Sequence, residues 1–301
     1  MKVFLTGASG YIGGTVAQRL LTDGHQVRGL VRDPDKVGPL TARGVTPVVG
    51  DLDDSDLLAA EARAADAVVN AANSDHRGAA HALVAALAGS GKTLLHTSGT
   101  SVIGDDAAGE AVSPHVFDDT RPFAANTHPI RQARHAIDTF VVGAAASGVR
   151  SAVLCDSLIY GTGTGLQTQT ALIPPLVEQA RASGVVRVVG HGLNRWSTVH
   201  VEDMASLYSQ VLADPAASGF YFVEAGEACF ADIGAAIAGR LGLGPIQFWN
   251  VKEATATWGE GFARYALGAN SRVRATRARQ LGWTPTRDSV TEWIQRDMPL
   301  P

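Results

Sequence analysis

The sequence predicts an α/β fold, a doubly wound parallel sheet with a small C-terminal lobe. Over the first half of the chain, short apolar runs rich in β-branched residues alternate with longer helix-forming segments, which is the order of strand–helix–strand crossover units. Several strand candidates are apolar throughout, as strands covered by helices on both faces are. A glycine-rich turn joins the first strand candidate to the first helix candidate. Together these observations indicate a parallel sheet with helices on both faces.

The predicted elements of the first half follow one another at short intervals. The strands are predicted at Lys2–Thr6, Gln26–Val31, Val45–Val49, Ala67–Asn70, Thr93–Thr97 and Arg150–Leu154. The helices between them are predicted at Tyr11–Thr22, Asp75–Ala88 and Pro129–Ala146.

After Gly161 the alternation loosens, and the second half returns to the sheet. Strands are predicted at Val185–Val189 and Gly219–Val223. Helices are predicted at Ala171–Ala182, Val201–Ala213, Phe230–Leu241, Ser271–Gln280 and Ser289–Arg296. We therefore predict two parts. A sheet domain covers residues 1–165 with a return segment at 196–225, and a substrate lobe is made of residues 166–195 and 226–301.

Composition narrows the classes of protein to which the chain can belong. The 301 residues carry a formal net charge of −4, so there is no basic surplus to bind a nucleic-acid backbone. No apolar run approaches the length of a membrane span and no secretory signal opens the chain. Cys155 and Cys229 have no partner at metal-binding or redox spacing, and the nine histidines form no metal array. We expect a cytoplasmic protein without a metal, a nucleic-acid partner or a membrane partner.

Residues 7–13 read Gly-Ala-Ser-Gly-Tyr-Ile-Gly and lie between the first strand and the first helix. Gly7 permits a tight turn, Gly10 lets backbone N–H groups approach a pyrophosphate, and Gly13 lets the helix pack close to the strand. The helix N-terminus adds unpaired donors and a positive dipole end. The pattern predicts a Rossmann-like dinucleotide site that uses Gly7, Ser9, Gly10, Tyr11, Ile12 and Gly13.

The end of the second predicted strand indicates which dinucleotide binds. Proteins that select NAD(H) usually place an acidic residue there, to accept a hydrogen bond from the ribose 2′-hydroxyl. Here Arg32 occupies that place, Lys36 follows, and Asp33 comes one residue late, where it could cap the next helix. A guanidinium suits a 2′-phosphate, so the sequence predicts NADP(H).

Further motifs identify a family resemblance over nearly the whole chain. Beside TGASGYIGG, they are Gly50-Asp51-Leu52, Asn70-Ala71-Ala72, HTSGTSVIG, SLIYGTGTG, RWSTVHVED and RARQLGWTP. Together they resemble the extended and atypical short-chain dehydrogenase/reductase superfamily, in particular its epimerase/dehydratase-like members. The resemblance implies that Asp51 and Leu52 flank the adenine. It implies that Ala71, Ala72 and Asn73 line the nicotinamide-side ribose, that Thr97 closes the floor of the site, and that the segment Cys155, Asp156, Ser157 and Leu158 holds the carboxamide side.

The sequence departs from this superfamily at its catalytic motif, Tyr-x-x-x-Lys. None of the five tyrosines has a lysine four residues later. Aligning Arg134-x-x-x-Asp138 with the usual Lys-x-x-x-Glu puts Ile130 in the place of the tyrosine and Arg134 in that of the lysine. Gly99 takes the place of the usual serine or threonine, with Ser98 and Thr100 on either side. Isoleucine cannot transfer a proton, so any proton donor must lie elsewhere.

Two interpretations of function remain open. In the first, which we favour, the protein is an NADPH-dependent oxidoreductase that reduces a small carbonyl, enone or imine. Arg134 then holds the nicotinamide ribose, and Ser98 or Thr100 polarises the substrate. The proton comes from His128, Tyr160, one of those hydroxyls or water. In the second, the protein is a redox-neutral epimerase, dehydratase or cyclase, or a regulator that senses NADP(H).

For the candidate residues on the substrate side, a structural role is the alternative to a role in binding or catalysis. The candidates are Gly99, His128, Ile130, Trp196 and His200. His128 could instead cap a helix, Tyr160 could be a packing residue, and a histidine placed as His200 is often structural. A homodimer could form through the helices predicted at Asp75–Ala88 and Pro129–Ala146.

Overall fold

A computed structural model describes residues 1–124 and 128–300 of the chain. Its strands, in chain order, are β1 (Lys2–Thr6), β2 (Gln26–Val31), β3 (Thr46–Val49), β4 (Ala67–Asn70), β5 (Thr93–Gly99), β6 (Phe117–Asp118), β7 (Arg150–Asp156), β8 (Leu158–Tyr160), β9 (Arg187–Val189), β10 (Arg195–His200), β11 (Gly219–Val223), β12 (Gly226–Cys229), β13 (Gln247–Trp249) and β14 (Val273–Arg274). Its helices are α1 (Tyr11–Thr22), α2 (Val37–Thr41), α3 (Ser55–Ala64), α4 (Arg77–Leu87), α5 (Pro129–Gly143), α6 (Ile173–Ser183), α7 (Val201–Ala213), α8 (Phe230–Leu241), α9 (Val251–Trp258), α10 (Glu260–Phe262), α11 (Thr276–Gln280) and α12 (Val290–Arg296).

Seven strands form one parallel sheet in the order β11-β7-β5-β4-β1-β2-β3. From β1 the chain builds outward through β2 and β3, then crosses back to place β4 on the other side of β1. The strand order therefore reverses between β1 and β4. In open parallel sheets, ligands bind at the carboxyl ends of the strands beside such a reversal. The predicted α/β doubly wound fold is confirmed.

Helices cover both faces of this sheet, which explains why its strands are apolar throughout. In β1, Val3 and Leu5 pack into one core with α1 and α7. Phe4 points the other way, into a second core with α3, α4 and α5. All three side chains are fully buried. Both faces must exclude water, so alternation of polar and apolar residues is absent.

The C-terminal lobe has a core of its own and two small sheets. One sheet has the order β12-β10-β8, and the other pairs β13 with β9. The predicted return to the main sheet is made by Gly219–Val223, which pairs in parallel with Arg150–Asp156. Arg195–His200, at the start of the predicted return segment, instead pairs with Leu158–Tyr160 and Gly226–Cys229 in the lobe.

One predicted helix is partly wrong. The helix expected at Ser271–Gln280 begins only at Thr276, because Val273–Arg274 forms a strand with Phe117–Asp118. The Ser271 N–H donates to the Arg195 carbonyl oxygen at 2.8 Å. Pairing with distant backbone thus overrides the local helical pattern.

None of the helices in the described residues is long and apolar enough to cross a bilayer. The homodimer stays a prediction.

Candidate active site

The turn after β1 is a tightly packed glycine cradle. Gly7 has a φ of +76°, a conformation that L side chains rarely adopt, and a Cβ there would lie 2.7 Å from the Ala71 carbonyl oxygen. A Cβ on Gly13 would lie 2.3 Å from the Gly7 carbonyl oxygen. Helix α1 begins at Tyr11 without a side-chain cap. The first N–H groups of α1 are therefore available to an anionic ligand.

Thr6 ties this turn to the end of the neighbouring strand β4. Its hydroxyl accepts from the N–H groups of Ala71 at 3.0 Å and Ala72 at 3.2 Å. The same hydroxyl donates to Asn70 Oδ1 at 2.7 Å. Two strand ends at the point of reversal are thereby fixed side by side, with the predicted ribose-binding residues against Gly7.

A cleft that encloses about 1030 Å³ opens at these strand ends. It brings together residues that we predicted to bind the cofactor, and they come from the ends of β1, β2, β3 and β4. They are Gly7, Ser9, Gly10, Arg32, Lys36, Asp51, Leu52, Ala72 and Asn73. Tyr11 contributes differently, because its hydroxyl donates to the Gly161 carbonyl oxygen at 2.9 Å and joins α1 to the loop after β8.

Where β2 ends, two basic side chains and the Asp33 carboxylate line this cleft. Arg32 and Lys36 are exposed and line the cleft. The Arg32 guanidinium makes no hydrogen bond or ion pair with the described residues. Asp33 is occupied as a cap: its Oδ1 accepts from the Asp35 N–H at 3.0 Å at the start of the short turn Pro34–Lys36. The expected capping role of Asp33 is confirmed.

Arg134 lines a second cavity and is bound to the segment that follows β4. Its Nε and Nη2 donate to the two carboxylate oxygens of Asp75 at 2.7 and 2.5 Å. Its Nη1 donates to Ser101 Oγ at 2.9 Å. A Cβ on Gly99 would lie 3.5 Å from that same nitrogen. Gly99 thus leaves room for the guanidinium.

The second cavity encloses about 570 Å³ beside Arg134. Its walls come from the turn after β5, the start of α5 and the C-terminal lobe. They are formed by Ser101, Val102, His128, Ile130, Arg131, Arg134, Gly261, Tyr265 and Ala266. Ile130 is 62% exposed. The predicted substrate residues His128 and Ile130 and the predicted catalytic residue Arg134 are therefore brought together.

Ser98 and Thr100 do not line this cavity. Both side chains are buried. The Ser98 hydroxyl donates to Asp138 Oδ2 at 2.7 Å, and Thr100 Oγ1 accepts from the Ser271 hydroxyl at 2.8 Å. These hydroxyls are held by other side chains behind the site, so the role of Ser98 or Thr100 in polarising the substrate stays a prediction. In this segment, Ser101 lines the cavity.

A buried polar network lies behind Arg134. Asn70 Nδ2 lies 3.0 Å from His96 Nδ1, and His96 Nε2 lies 3.9 Å from Asp138 Oδ1. Burial raises the pKa of Asp138 to about 7 and lowers the pKa of His96 to about 4. Both groups therefore favour their neutral forms in the folded protein near pH 6.

The predicted floor of the site is held by a residue that the sequence did not identify, Tyr208 of α7. Its hydroxyl lies 2.9 Å from Thr97 Oγ1 and 3.0 Å from Asp156 Oδ2. Burial raises the pKa of Asp156 well above its usual value. The segment Cys155–Leu158 is buried, so its contact with a carboxamide stays a prediction.

Tyr160, Trp196 and His200 have structural surroundings, and none of them lines the second cavity. Tyr160 is fully buried in the lobe core, with its ring 5.3 Å from that of His200. Trp196 is buried and its Nε1 donates to the Ala269 carbonyl oxygen at 2.8 Å. His200 caps α7 by accepting from the Glu202 N–H at 3.3 Å.

Three residues of the site were missed in the sequence. Asp75 and Ser101 hold Arg134, and Tyr265 forms the far wall of the second cavity. Ser101 falls within the HTSGTSVIG motif, so the motif could have identified it. Asp75 is an ordinary loop carboxylate and Tyr265 lies in no recognised pattern, so neither carried a usable signal.

A doubly wound parallel sheet, a glycine cradle and a cleft at the reversal of strand order define a dinucleotide-binding protein of the Rossmann type. Residues 3–221 match the NAD dependent epimerase/dehydratase family, and the chain belongs to that family.

Two curated relatives and one solved structure show the extent of the likeness. The chain is 32% identical over 323 residues to oxidase ucsJ of Acremonium sp, covering 94% of this chain and 92% of that protein. It is 28% identical over 219 residues to a Stigmatella aurantiaca enzyme, 4-hydroxy-2-methyl-3-oxo-4-farnesyl-3,4-dihydroquinoline-1-oxide ketoreductase, covering 68% and 62% of the two chains. The structure of dTDP-glucose 4,6-dehydratase from Bacillus anthracis in complex with NAD superimposes with a TM-score of 0.78 at 19% identity, covering 98% and 94%. At that identity the superposition shows the shared fold alone.

Proposed function

We propose that the protein is an NADP(H)-dependent oxidoreductase that reduces a small carbonyl, enone or imine. The observation that carries the proposal is the exposed Arg32 guanidinium, which has no partner among the described residues and lies at the rim of the cleft with Lys36. A free guanidinium at the end of the second strand is the group that binds a ribose 2′-phosphate. The carboxylate that could have received a ribose hydroxyl, Asp33, caps a turn instead.

The names of two relatives support redox chemistry. One is called an oxidase and the other a ketoreductase. When bound, NADPH supplies a hydride from its nicotinamide ring. The glycine cradle fits the pyrophosphate because α1 begins there without a side-chain cap, so its first N–H groups are available to an anion. Arg134, held by Asp75 and Ser101, would present its remaining N–H groups to the nicotinamide ribose.

The second cavity supports a small and rather apolar substrate. Its volume of about 570 Å³ includes the opening to solvent, so the walled part has room only for a small molecule. Ile130, Val102 and Ala266 supply apolar wall, and the polar groups are few. In this arrangement Ile130 shields the reacting atoms from water, and Arg134 orients them.

The direct test is consumption of NADPH by the purified protein with a panel of ketones, enones and imines. We expect NADPH to disappear with at least one of these classes, and UDP-sugars to bind weakly in a thermal-shift assay. Tight NADPH binding without turnover on any class would favour the NADP(H)-sensing regulator. Tight binding of a UDP-sugar would favour a redox-neutral sugar-nucleotide enzyme.

Arg32→Ala is expected to weaken NADPH binding about tenfold, the loss of one charge-assisted contact of about 1.4 kcal/mol. NADH has no 2′-phosphate, so its affinity should change less than twofold. Calorimetric titration of both nucleotides measures this difference. The matched control is Arg43→Ala, which removes an exposed arginine from the loop before β3, at the opposite end of the strands from the cleft. Equal losses for NADH and NADPH would contradict NADP(H) selection by Arg32.

A further inference from the structure

We propose that Tyr265, which projects from the C-terminal lobe, is the proton donor that replaces the missing tyrosine of α5. The proposal rests on the reductase function above and names the catalytic acid of that same site. Tyr265 lies in the π-helical turn Ala263–Leu267. Such turns are rare and often occur at functional sites.

The position of Tyr265 places its phenol opposite the residue that should have been tyrosine. Tyr265 and Ile130 line the same cavity, together with Arg134. The Tyr265 ring centroid lies 4.3 Å from that of His128, two residues before Ile130. The Tyr265 phenol and the apolar Ile130 side chain therefore border the same cavity.

The other tyrosines are unsuited to this role. Tyr160, Tyr208 and Tyr221 are buried, and the Tyr11 hydroxyl donates to the Gly161 carbonyl oxygen at 2.9 Å. The Tyr265 hydroxyl makes no hydrogen bond within residues 1–124 and 128–300. It is therefore available to a substrate in the cavity that its own side chain lines.

Two arginines hold Tyr265 and surround its ring with positive charge. The buried Arg131 donates to the Gly104 carbonyl oxygen at 2.6 Å and to the Tyr265 carbonyl oxygen at 3.2 Å. Its Cζ lies 5.1 Å from the Tyr265 ring centroid, and the Cζ of Arg264 lies 6.0 Å away. Arg264 is itself fixed by two 2.8 Å bonds to Asp106. Guanidinium groups at these distances stabilise negative charge that develops on the phenol during proton transfer.

The step balances for a carbonyl substrate. The substrate carbon forms a C–H bond with the hydride of NADPH, whose own C–H bond breaks, and the π electrons of the C=O bond move to oxygen. That oxygen forms an O–H bond with the proton of Tyr265, which leaves a phenolate. The products are the alcohol and NADP⁺, and the phenolate recovers a proton from water through the open cavity.

Tyr265→Phe tests the proposal because it keeps the ring, its contact with His128 and its packing on Arg131, and removes only the hydroxyl. We expect kcat for the best substrate of the panel to fall about 100-fold, the usual contribution of a general acid. KM and the Kd of NADPH should change less than twofold. The matched control, Tyr221→Phe on β11, should keep kcat within twofold of the wild type.

A second measurement does not depend on turnover. In the complex with NADP⁺ and the same carbonyl compound, which cannot react, tetranitromethane should nitrate Tyr265 at least tenfold more slowly than in the free protein. Mass spectrometry of peptides reads the modified site. Equal nitration in both states would show that no ligand covers the phenol, and would overturn the proposal.

Different results would contradict the proposed function and the role of Tyr265. If the wild-type protein reduces no member of the panel, the proposed function and the role of Tyr265 both fail. If the wild type is active and Tyr265→Phe keeps its rate, only the role of Tyr265 fails. Loss of activity in His128→Gln alongside an active Tyr265→Phe would assign the proton to His128.

Discussion

Gly13→Ala is expected to destabilise the protein by about 3 kcal/mol, the upper part of the usual range for overpacking. The new Cβ would lie 2.3 Å from the carbonyl oxygen and 2.8 Å from the carbonyl carbon of Gly7. Both are backbone atoms of the turn that the cofactor requires, so no flexible side chain can move aside. The turn and α1 must separate. Because NADPH binds to the closed cradle, the variant must restore that geometry on binding, and we expect NADPH affinity to fall about 100-fold.

Thermal unfolding and calorimetric titration with NADPH measure the two effects of Gly13→Ala. The control is Gly239→Ala in α8, where an added Cβ meets no atom within 4 Å. That variant should be more stable by about 0.5 kcal/mol, since alanine is favoured over glycine in a helix. It should bind NADPH as the wild type does. Wild-type NADPH affinity in Gly13→Ala would mean that the cradle does not hold the dinucleotide.

Asp138→Asn is expected to stabilise the protein above pH 7. Burial raises the pKa of Asp138 to about 7 in the folded protein, whereas an aspartate in an unfolded chain titrates near ~3.9. Its contribution to stability is therefore fully present below pH ~4 and is lost as the pH rises to about 7. A difference of about three pH units corresponds to at most about 4 kcal/mol. Asparagine carries no charge and can still accept the hydrogen bond of Ser98.

The titration of His96 changes the free energy of unfolding in the opposite direction over the same pH range. Burial lowers its pKa to about 4 in the folded protein, so its contribution is fully present above its unfolded pKa of ~6.5 and is lost as the pH falls toward 4. In the wild type the two contributions oppose each other. In Asp138→Asn only that of His96 remains, and the free energy of unfolding should rise with pH between about 4 and 6.5.

Urea unfolding at several pH values from 4 to 9 measures both slopes. Asp35→Asn, which changes an exposed carboxylate, should leave the wild-type pH dependence in place. If the curve for Asp138→Asn coincides with that of the wild type, Asp138 does not carry a costly buried charge at neutral pH.

The cofactor half of the site was predictable because its signals are local. The strand, the glycine turn and the helix N-terminus occupy adjacent positions in residues 2–22. The residues that meet them come from strand ends, which the apolar runs identify. A parallel sheet brings such ends to one edge, so Arg32, Asp51 and Ala72 line one cleft.

The substrate half was not predictable in the same way. Ser98, Thr100, Tyr160, Trp196 and His200 all lie in motifs, yet their side chains are buried. All of them except Tyr160 are hydrogen-bonded to other parts of the protein. A motif fixes the path of the backbone, but only packing decides which side of a strand faces the cavity. Ser101, one residue beyond Thr100, lines the cavity.

The sequence by itself determined the parallel sheet, the glycine cradle and the loss of the tyrosine from α5, because each depends on residue types at short spacing. Only the tertiary structure decided what surrounds Arg134 and what faces Ile130. Arg131 and Tyr265 are 134 residues apart in the chain. Contacts at that separation arise when the C-terminal lobe packs over the carboxyl edge of the sheet, and no local pattern encodes them.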